Sequence, residues 1–274
     1  MKKIFLLLLL IAAPHLAQAQ QFISDSALHA IVQERVATKR AMGVVVAVME
    51  KGKPPRLQIA GVSGLAGVPL DGNTVFEIGS ITKAFTGALL ANMVARGEVK
   101  LEDPVAKYLP KSVRMPTRNG KQITLLDLAT QSSGLPRLPG NMKPADFSNP
   151  YADYTVQQLY DFLSSYTLTR DPGEKYEYSN LGVGLLGHVL ALRAGMDYGV
   201  LLRRRVLDSL QMKSTGIGAT PAVAAWMAMG HNDRLEPVPP HPMEFLSNAH
   251  DMSAFLEVCL GLRPSPFDRT ATPR

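Results

Sequence analysis

The chain has 274 residues, with 29 Lys and Arg against 23 Asp and Glu, which gives a formal net charge of +6. Hydrophobic residues make up 46% of it and charged residues 19%, so the chain can bury a core and is not disordered by composition. Two lysines lie within residues 1–19, and the remaining charge of +4 is too dilute for a nucleic-acid footprint. Cys259 is the single cysteine, which excludes a disulfide framework and a cysteine-based zinc site.

The first 19 residues have the layout of a secretory signal peptide. Lys2 and Lys3 precede an apolar run over residues 4–13, and Ala17-Gln18-Ala19 places small residues where a signal peptidase cuts. A short membrane anchor is the alternative, but the run of about ten residues falls short of the roughly 20 that a spanning helix needs. We therefore expect a periplasmic or secreted protein without a membrane span.

A helix and a β-hairpin are predicted next. Ser24 or Asp25 can cap the first helix. The Val-rich run over residues 43–50 and the segment 56–61 flank a turn-forming stretch, Lys51-Gly52-Lys53-Pro54-Pro55. Two short predicted strands around such a turn are typical of a hairpin.

Ser80 and Lys83 open a predicted helix that runs to Arg96, with Gly97 as its stop signal. Residues three apart share a helix face, so the hydroxyl and the amine can meet. A serine is a poor nucleophile until a nearby base takes its proton, and a helix N-terminus stabilises the negative charge that then develops. A Ser-x-x-Lys pattern alone is weak, because it occurs by chance in many chains of this length.

Beyond residue 97 the sequence alternates helical stretches with loops marked by Pro and Gly. Thr124 and Thr155 can each cap a helix. The segment 235–243 contains four prolines and is expected to be a loop. Further helices are predicted over 182–194, 198–210 and 251–260.

Two strands at the front and a long helical insert predict an α+β protein with a helical subdomain. The expected organisation is a signal peptide over residues 1–19, then the first helix, the hairpin and the Ser80 helix over 20–97. The helical subdomain is placed at 98–216. A loop, a short helix and a C-terminal segment are placed at 217–274.

A second motif, Tyr178-Ser179-Asn180, follows Pro172-Gly173. Together with Ser80-Ile81-Thr82-Lys83 it resembles the serine β-lactamase and penicillin-binding protein superfamily, in its class C-like branch. Class A enzymes instead carry a Ser-Asp-Asn motif, which this sequence lacks. The resemblance extends over roughly residues 25–262 and includes the segments 76–86, 101–110 and 132–136.

The resemblance implies an antiparallel sheet flanked by helices and an acyl-enzyme at Ser80. It assigns Lys83 to the proton network, Tyr178 to general base catalysis and Asn180 to a hydrogen bond with the substrate's amide side chain. It implies no metal or other cofactor, a small-molecule substrate and a monomer. β-Lactams are the first expected substrate class, and D-alanyl-D-alanine peptides, in a carboxypeptidase or endopeptidase reaction, or small esters are the alternatives.

One feature of the family is not found. Its third motif, Lys-Thr/Ser-Gly or His-x-Gly, belongs to a late strand beside the nucleophile, and Lys213-Ser214-Thr215-Gly216 has one residue too many and lies after a helix instead. We therefore expect a chain truncated at its C-terminus, with an incomplete sheet and a hairpin deprived of strand partners. A catalytically impaired remnant that only binds β-lactams, or is slowly acylated by them, is the competing hypothesis.

Two other patterns are given structural interpretations. Gly182-Val183-Gly184-Leu185-Leu186-Gly187 matches the dinucleotide fingerprint in its letters, but no strand precedes it, and helix packing explains the glycines better. Cys259, on the apolar stripe of the last helix, is expected to be a small buried hydrophobe.

Overall fold

The structure, a computed structural model, describes residues 23–147, 149–238 and 244–265. The predicted signal peptide, residues 239–243 of the proline-rich segment and residues 266–274 lie outside this part. Eight α-helices occur within it: α1 (Asp25–Ala37), α2 (Thr82–Ala95), α3 (Leu125–Ala129), α4 (Val156–Ser165), α5 (Asn180–Ala194), α6 (Tyr198–Leu202), α7 (Pro221–Ala224) and α8 (Ala249–Cys259).

The strands of the described residues are short and antiparallel. They form the two-stranded pairs β1–β2, β4–β5 and β7–β8 and one three-stranded sheet in the order β3–β9–β6. Helices and small antiparallel sheets together make the predicted α+β fold. The strands are β1 (Gly43–Val48), β2 (Arg56–Gly61), β3 (Val75–Glu77), β4 (Thr117–Arg118), β5 (Lys121–Gln122), β6 (Gly216–Ile217), β7 (Gly230–His231), β8 (Pro237–Val238) and β9 (Phe245–Asn248).

The predicted hairpin is confirmed as β1 and β2, which pair in register from Gly43 opposite Gly61 to Val48 opposite Arg56. The helix before it begins after Ser24, whose hydroxyl accepts a hydrogen bond from the Ala27 N–H. Helix α1 packs against β2 and helix α8 packs against β1. All six residues of β1 are nevertheless only half-buried, because β2 is the only strand that pairs with β1 among the described residues.

The three-stranded sheet leads directly into the predicted nucleophile. Strand β3 pairs with β9 from Val75 opposite Asn248 to Glu77 opposite Leu246, and the Ile78 N–H then donates to the Phe245 carbonyl at 3.0 Å. This pairing fixes the chain up to two residues before Ser80.

Helix α2 lies at the centre of the main hydrophobic core. Phe85, Leu89 and Met93 on this helix are each 0% exposed. The ring of Phe85 stacks on Phe255 of α8 with 4.0 Å between centroids and lies 5.0 Å from Phe245 of β9. The core therefore ties the Ser80 helix to both the sheet and the last helix.

The start of α5 is held by the loop that precedes α4. Ser179 is the N-cap of α5, and its hydroxyl accepts from the Gly182 N–H at 2.8 Å and donates to the Pro136 carbonyl at 2.6 Å. Its own N–H donates to the Gln131 side chain at 2.7 Å. Ser179 is 1% exposed, and these three bonds fix the residue that follows Tyr178.

The glycines of the dinucleotide-like pattern lie inside α5 and not after a strand. A Cβ added at Gly187 would approach the Tyr198 ring to 3.1 Å, and one at Gly182 would lie 3.2 Å from the Ser179 hydroxyl. Close packing accounts for both glycines.

Several sequence predictions need correction. Cys259 is exposed, so the expectation of a buried cysteine is wrong. Pro237 and Val238, expected in a loop, form β8 opposite β7. The stretch 198–210 is not one α-helix, because α6 passes into a π-helical turn at 203–207 and a 3₁₀ turn at 208–210.

The boundaries of the helical subdomain, drawn at residues 98 and 216, stay a prediction.

The described residues contain no single helix that is long and apolar enough to cross a membrane. One pair of helical segments, 180–194 and 198–210, is long and apolar enough when taken together, but it is bent by 80°.

We expect Phe85→Ala to lower the free energy of unfolding by about 3–5 kcal/mol, because it removes the ring that joins α2 to α8 and β9 and leaves a cavity. Phe147→Ala is the matched control, since Phe147 is 84% exposed and its loss is expected to cost less than about 0.5 kcal/mol. Urea unfolding followed by circular dichroism measures both. Equal losses would contradict the central position of Phe85.

Ser179→Ala is expected to cost about 2–3 kcal/mol of unfolding free energy, because it removes a helix cap and leaves the half-buried Pro136 carbonyl without its donor. Thr155→Ala is the comparison: Thr155 caps α4 but is exposed, so only about 1 kcal/mol is expected. The difference in urea midpoint between the two variants tests whether the buried α5 cap contributes more than the exposed α4 cap.

Candidate active site

Ser80 lies at the junction between β3 and α2. Gly79 has a positive φ of 48°, and residues 79–81 form a 3₁₀ turn that continues into α2 at Thr82. Ser80 thus belongs to the 3₁₀ turn and not to the first turn of the α-helix. Its side chain is exposed, as a nucleophile needs to be.

Three of the four predicted site residues meet at one point. The Ser80 Oγ lies 2.6 Å from the Tyr178 hydroxyl, and the Lys83 Nζ donates to the same Oγ at 3.1 Å. The Lys83 Nζ also lies 4.8 Å from the centroid of the Tyr178 ring. A hydroxyl between an amine and a phenol can pass its proton along this short network.

The surroundings of Tyr178 favour its ionised form. The hydrogen bond from Lys83, and after it the bond to Ser80, lower the pKa of the Tyr178 phenol below its ordinary value. The charges of Lys83 and Arg137 act in the same direction, while partial burial opposes them. The Arg137 guanidinium carbon lies 5.1 Å from the ring centroid, so cations approach the ring from two elements.

The loop at residues 131–137 holds the second motif in place. The Gln131 carbonyl accepts from the Glu177 N–H at 2.7 Å, and the Arg137 carbonyl accepts from the N–H groups of Asn180 and Leu181 at 3.0 and 3.2 Å. These backbone bonds lie on both sides of Tyr178. The loop therefore sets the position from which Tyr178 reaches Ser80.

Asn180 is the fourth predicted residue and has a different partner. Its Nδ2 donates to the Tyr151 hydroxyl at 3.1 Å, and its buried Oδ1 has no hydrogen-bond partner among the described residues. The amide thus has unused hydrogen-bonding capacity, which a ligand could satisfy.

A cavity of about 1070 Å³ opens beside Ser80. Ligand pockets are usually about 300–1,000 Å³, so this one can hold a drug-sized molecule. His188 on its wall bonds to the Tyr160 hydroxyl at 2.8 Å, and burial lowers its pKa, which favours a neutral ring. Tyr178 is not part of the wall and reaches Ser80 from beside it. The polar lining includes Ser80, Lys83, Tyr151, Asn180, His188 and Glu244.

The rejected third-motif candidate has a structural role. The Thr215 hydroxyl is 2.8 Å from the Ser247 hydroxyl and donates to Asp251 at 2.7 Å, and Thr215 is 1% exposed. It joins the segment before β6 to β9 and α8 and does not line the cavity at Ser80. Within the described ranges no group of three or more His, Cys, Asp or Glu could hold a metal ion.

Sequence reasoning did not identify two residues of this site. Arg137 lies over the Tyr178 ring, and Tyr151 binds the Asn180 amide. The only signal for Arg137 was its place directly after the segment 132–136, which resembles the family. Nothing in the sequence pointed to Tyr151, because its loop carries no motif.

Known proteins are similar to this chain in sequence. The AmpH D-alanyl-D-alanine-carboxypeptidase/endopeptidase of Escherichia coli K12 is 35% identical over 184 residues, which are 59% of this chain and 47% of that protein. A β-lactamase of the same strain is 30% identical over 228 residues, 82% of this chain and 56% of the relative. The chain thus matches about half the length of these curated relatives.

Solved structures share the fold. A β-lactamase/D-alanine carboxypeptidase from Pseudomonas syringae aligns with a TM-score of 0.74 at 26% identity, covering 89% of this chain and 69% of that one. A class C β-lactamase from Rhodobacter sphaeroides aligns at 0.72 and 29% identity, over 88% and 68% of the two chains. The family model described as beta-lactamase matches residues 28–271. With most of its length matched by that model and the class C fold around Ser80, the chain belongs to the β-lactamase family.

Proposed function

We propose that this chain is a serine hydrolase that forms an acyl-enzyme at Ser80 and hydrolyses it, with β-lactams as substrates. The observation that carries the proposal is the contact of the Ser80 hydroxyl with both Tyr178 and Lys83 at the edge of a ligand-sized cavity. The membership of the family and the names of the relatives support the same class of reaction.

In acylation, the Ser80 Oγ attacks the carbonyl carbon of the strained amide while its proton passes to Tyr178. The new C–O bond forms, the C–N bond breaks, and the proton is delivered to the departing nitrogen. Lys83 stabilises the Tyr178 phenolate that accepts this proton, because its ammonium lies 4.8 Å from the centre of the Tyr178 ring. The same ammonium is hydrogen-bonded to the Ser80 hydroxyl.

In deacylation, the same phenolate takes a proton from water, which attacks the ester carbonyl. The C–O bond to Ser80 breaks and the hydroxyl regains a proton. One base therefore serves both half-reactions, in keeping with the single acceptor that lies at hydrogen-bond distance from Ser80 within the described residues.

Asn180 is proposed to bind the amide of the substrate's acyl side chain. Its side chain lines the same cavity as Ser80, and its Oδ1 is buried without a partner in the described structure. A ligand amide would satisfy this atom, and an unmet buried acceptor is costly enough to favour such a ligand.

Hydrolysis of D-alanyl-D-alanine peptides is the second candidate. The 35% identity to a protein named as a D-alanyl-D-alanine carboxypeptidase/endopeptidase favours it. The two substrate classes share the acylation step and differ in how fast the acyl-enzyme reacts with water.

We expect purified protein to be labelled covalently by a fluorescent penicillin, and Ser80→Ala to abolish the label because the nucleophile is gone. Ser112→Ala is the control, since Ser112 is also exposed but lies in a loop outside the cavity lining. Intact mass shows whether one adduct forms, and circular dichroism shows that each variant is folded.

The lifetime of the penicillin adduct distinguishes the β-lactamase hypothesis from the peptidase hypothesis. Fast turnover of a chromogenic cephalosporin supports the β-lactamase reaction, and a stable adduct supports the peptidase. A folded chain that is never labelled would overturn the proposal and leave a family fold without its chemistry.

Export is proposed from the first 19 residues. Expression of the full sequence in a Gram-negative host is expected to give periplasmic protein with the mass of a chain that begins at Gln20. Leu8→Arg should retain the protein in the cytoplasm, because it interrupts the apolar run that the secretion machinery reads. Gln21→Arg adds the same charge beyond the cleavage site, and this variant should be exported. Finding the unsubstituted protein uncleaved in both the cytoplasmic and the periplasmic fraction would contradict the signal peptide.

A further inference from the structure

We propose that Arg137 is a positioning residue for catalysis, which acts as a second cation that stabilises the ionised form of Tyr178. The inference rests on the proposed function, since it concerns the base of that reaction. Arg137 is not itself among the residues that line the cavity, and the hydrogen bonds of the Ser80 hydroxyl in the described structure go to Tyr178 and Lys83.

The geometry places two cations from different parts of the chain close to the Tyr178 ring. The Lys83 Nζ from α2 and the Arg137 guanidinium carbon from the loop before α4 lie 4.8 and 5.1 Å from its ring centroid. Cations within about 6 Å of an aromatic centroid interact favourably with the ring, and they favour a phenolate more than a neutral phenol.

The backbone of Arg137 is held in a defined position. Its carbonyl accepts from the Asn180 and Leu181 N–H groups, which begin α5, and Pro136 precedes it with a carbonyl bound by Ser179. The same loop segment therefore fixes both the second motif and the cation above it. A movement of one would move the other.

The ion pairs seen among the described residues join other side chains, and none of them includes the Arg137 guanidinium. The groups that face Tyr178 are Ser80 and Lys83 from the turn and helix after β3, and Arg137 from its loop. The neighbouring Glu177 carboxylate is paired with Arg170 instead. The charge of Arg137 is thus free to act on the phenol.

The direct test is a titration of Tyr178 in the intact protein, read from the ¹³Cζ resonance of labelled tyrosine and assigned with Tyr178→Phe. Arg137→Gln is expected to move the midpoint to higher pH, because the phenolate loses a cation. Arg137→Lys keeps the charge and should stay near the unsubstituted protein. Arg40→Gln removes the same charge from an exposed position that does not act on Tyr178, and it should leave the midpoint unchanged.

Salt provides a second readout. The difference between the unsubstituted protein and Arg137→Gln should shrink in about 1 M salt, because an exposed charge is screened there. Equal midpoints for the two proteins at low salt, with both folded by circular dichroism, would overturn the proposal.

The kinetic test measures the rate of acylation by penicillin against pH. Below the midpoint, Arg137→Gln should acylate about three- to tenfold more slowly, since a single cation at this distance in a water-rich setting changes an equilibrium by roughly that factor. On the high-pH plateau the rates should agree. A uniform loss at every pH would show a merely structural role and contradict the proposal.

The two tests also separate this inference from the proposed function. If penicillin labels no protein, the proposed function fails, whereas the titration of Tyr178 still reports whether Arg137 stabilises its phenolate. If labelling occurs and the midpoint does not move, the role of Arg137 alone fails.

Discussion

The hydrogen bond between Ser80 and Tyr178 joins residues 98 positions apart, and two separate parts of the described structure hold its ends. One end is fixed by the pairing of β3 with β9 and by the packing of α2 in the core. The other end is fixed by the loop 131–137, which binds the backbone on both sides of Tyr178. Small displacements of either support would separate the two hydroxyls.

The ionisation of Tyr178 depends on the partial exposure of its side chain. Tyr178 is only half-buried, so the desolvation that would favour the neutral phenol is outweighed by Lys83, Ser80 and Arg137. A more enclosed tyrosine would resist ionisation, as burial raises the pKa of Tyr198 in the same structure. The partial exposure of Tyr178 thus favours its ionised form.

The β1–β2 hairpin depends on packing from neighbouring helices. Its strands pair along their full length, yet β1 is half-buried throughout. Helix α8 contacts β1, and helix α1 contacts both strands. A two-stranded unit gains little stability alone, so these two helices supply the packing that the hairpin needs. The exposed Cys259 belongs to the face of α8 that the described residues leave uncovered.

Local signals in the sequence determined much of this protein. The caps at Ser24, Thr124 and Thr155, the hairpin turn and the spacing of Ser80 to Lys83 act over a few residues, and so the pattern alone predicted them. The resemblance to the family pointed to Tyr178 and Asn180 through their motif. Only the tertiary structure decided what depends on distant neighbours: the cation of Arg137 over Tyr178, the Tyr151 partner of Asn180, β8 in a proline-rich segment and the exposure of Cys259. Those features arise from packing between elements, which sequence periodicity does not encode.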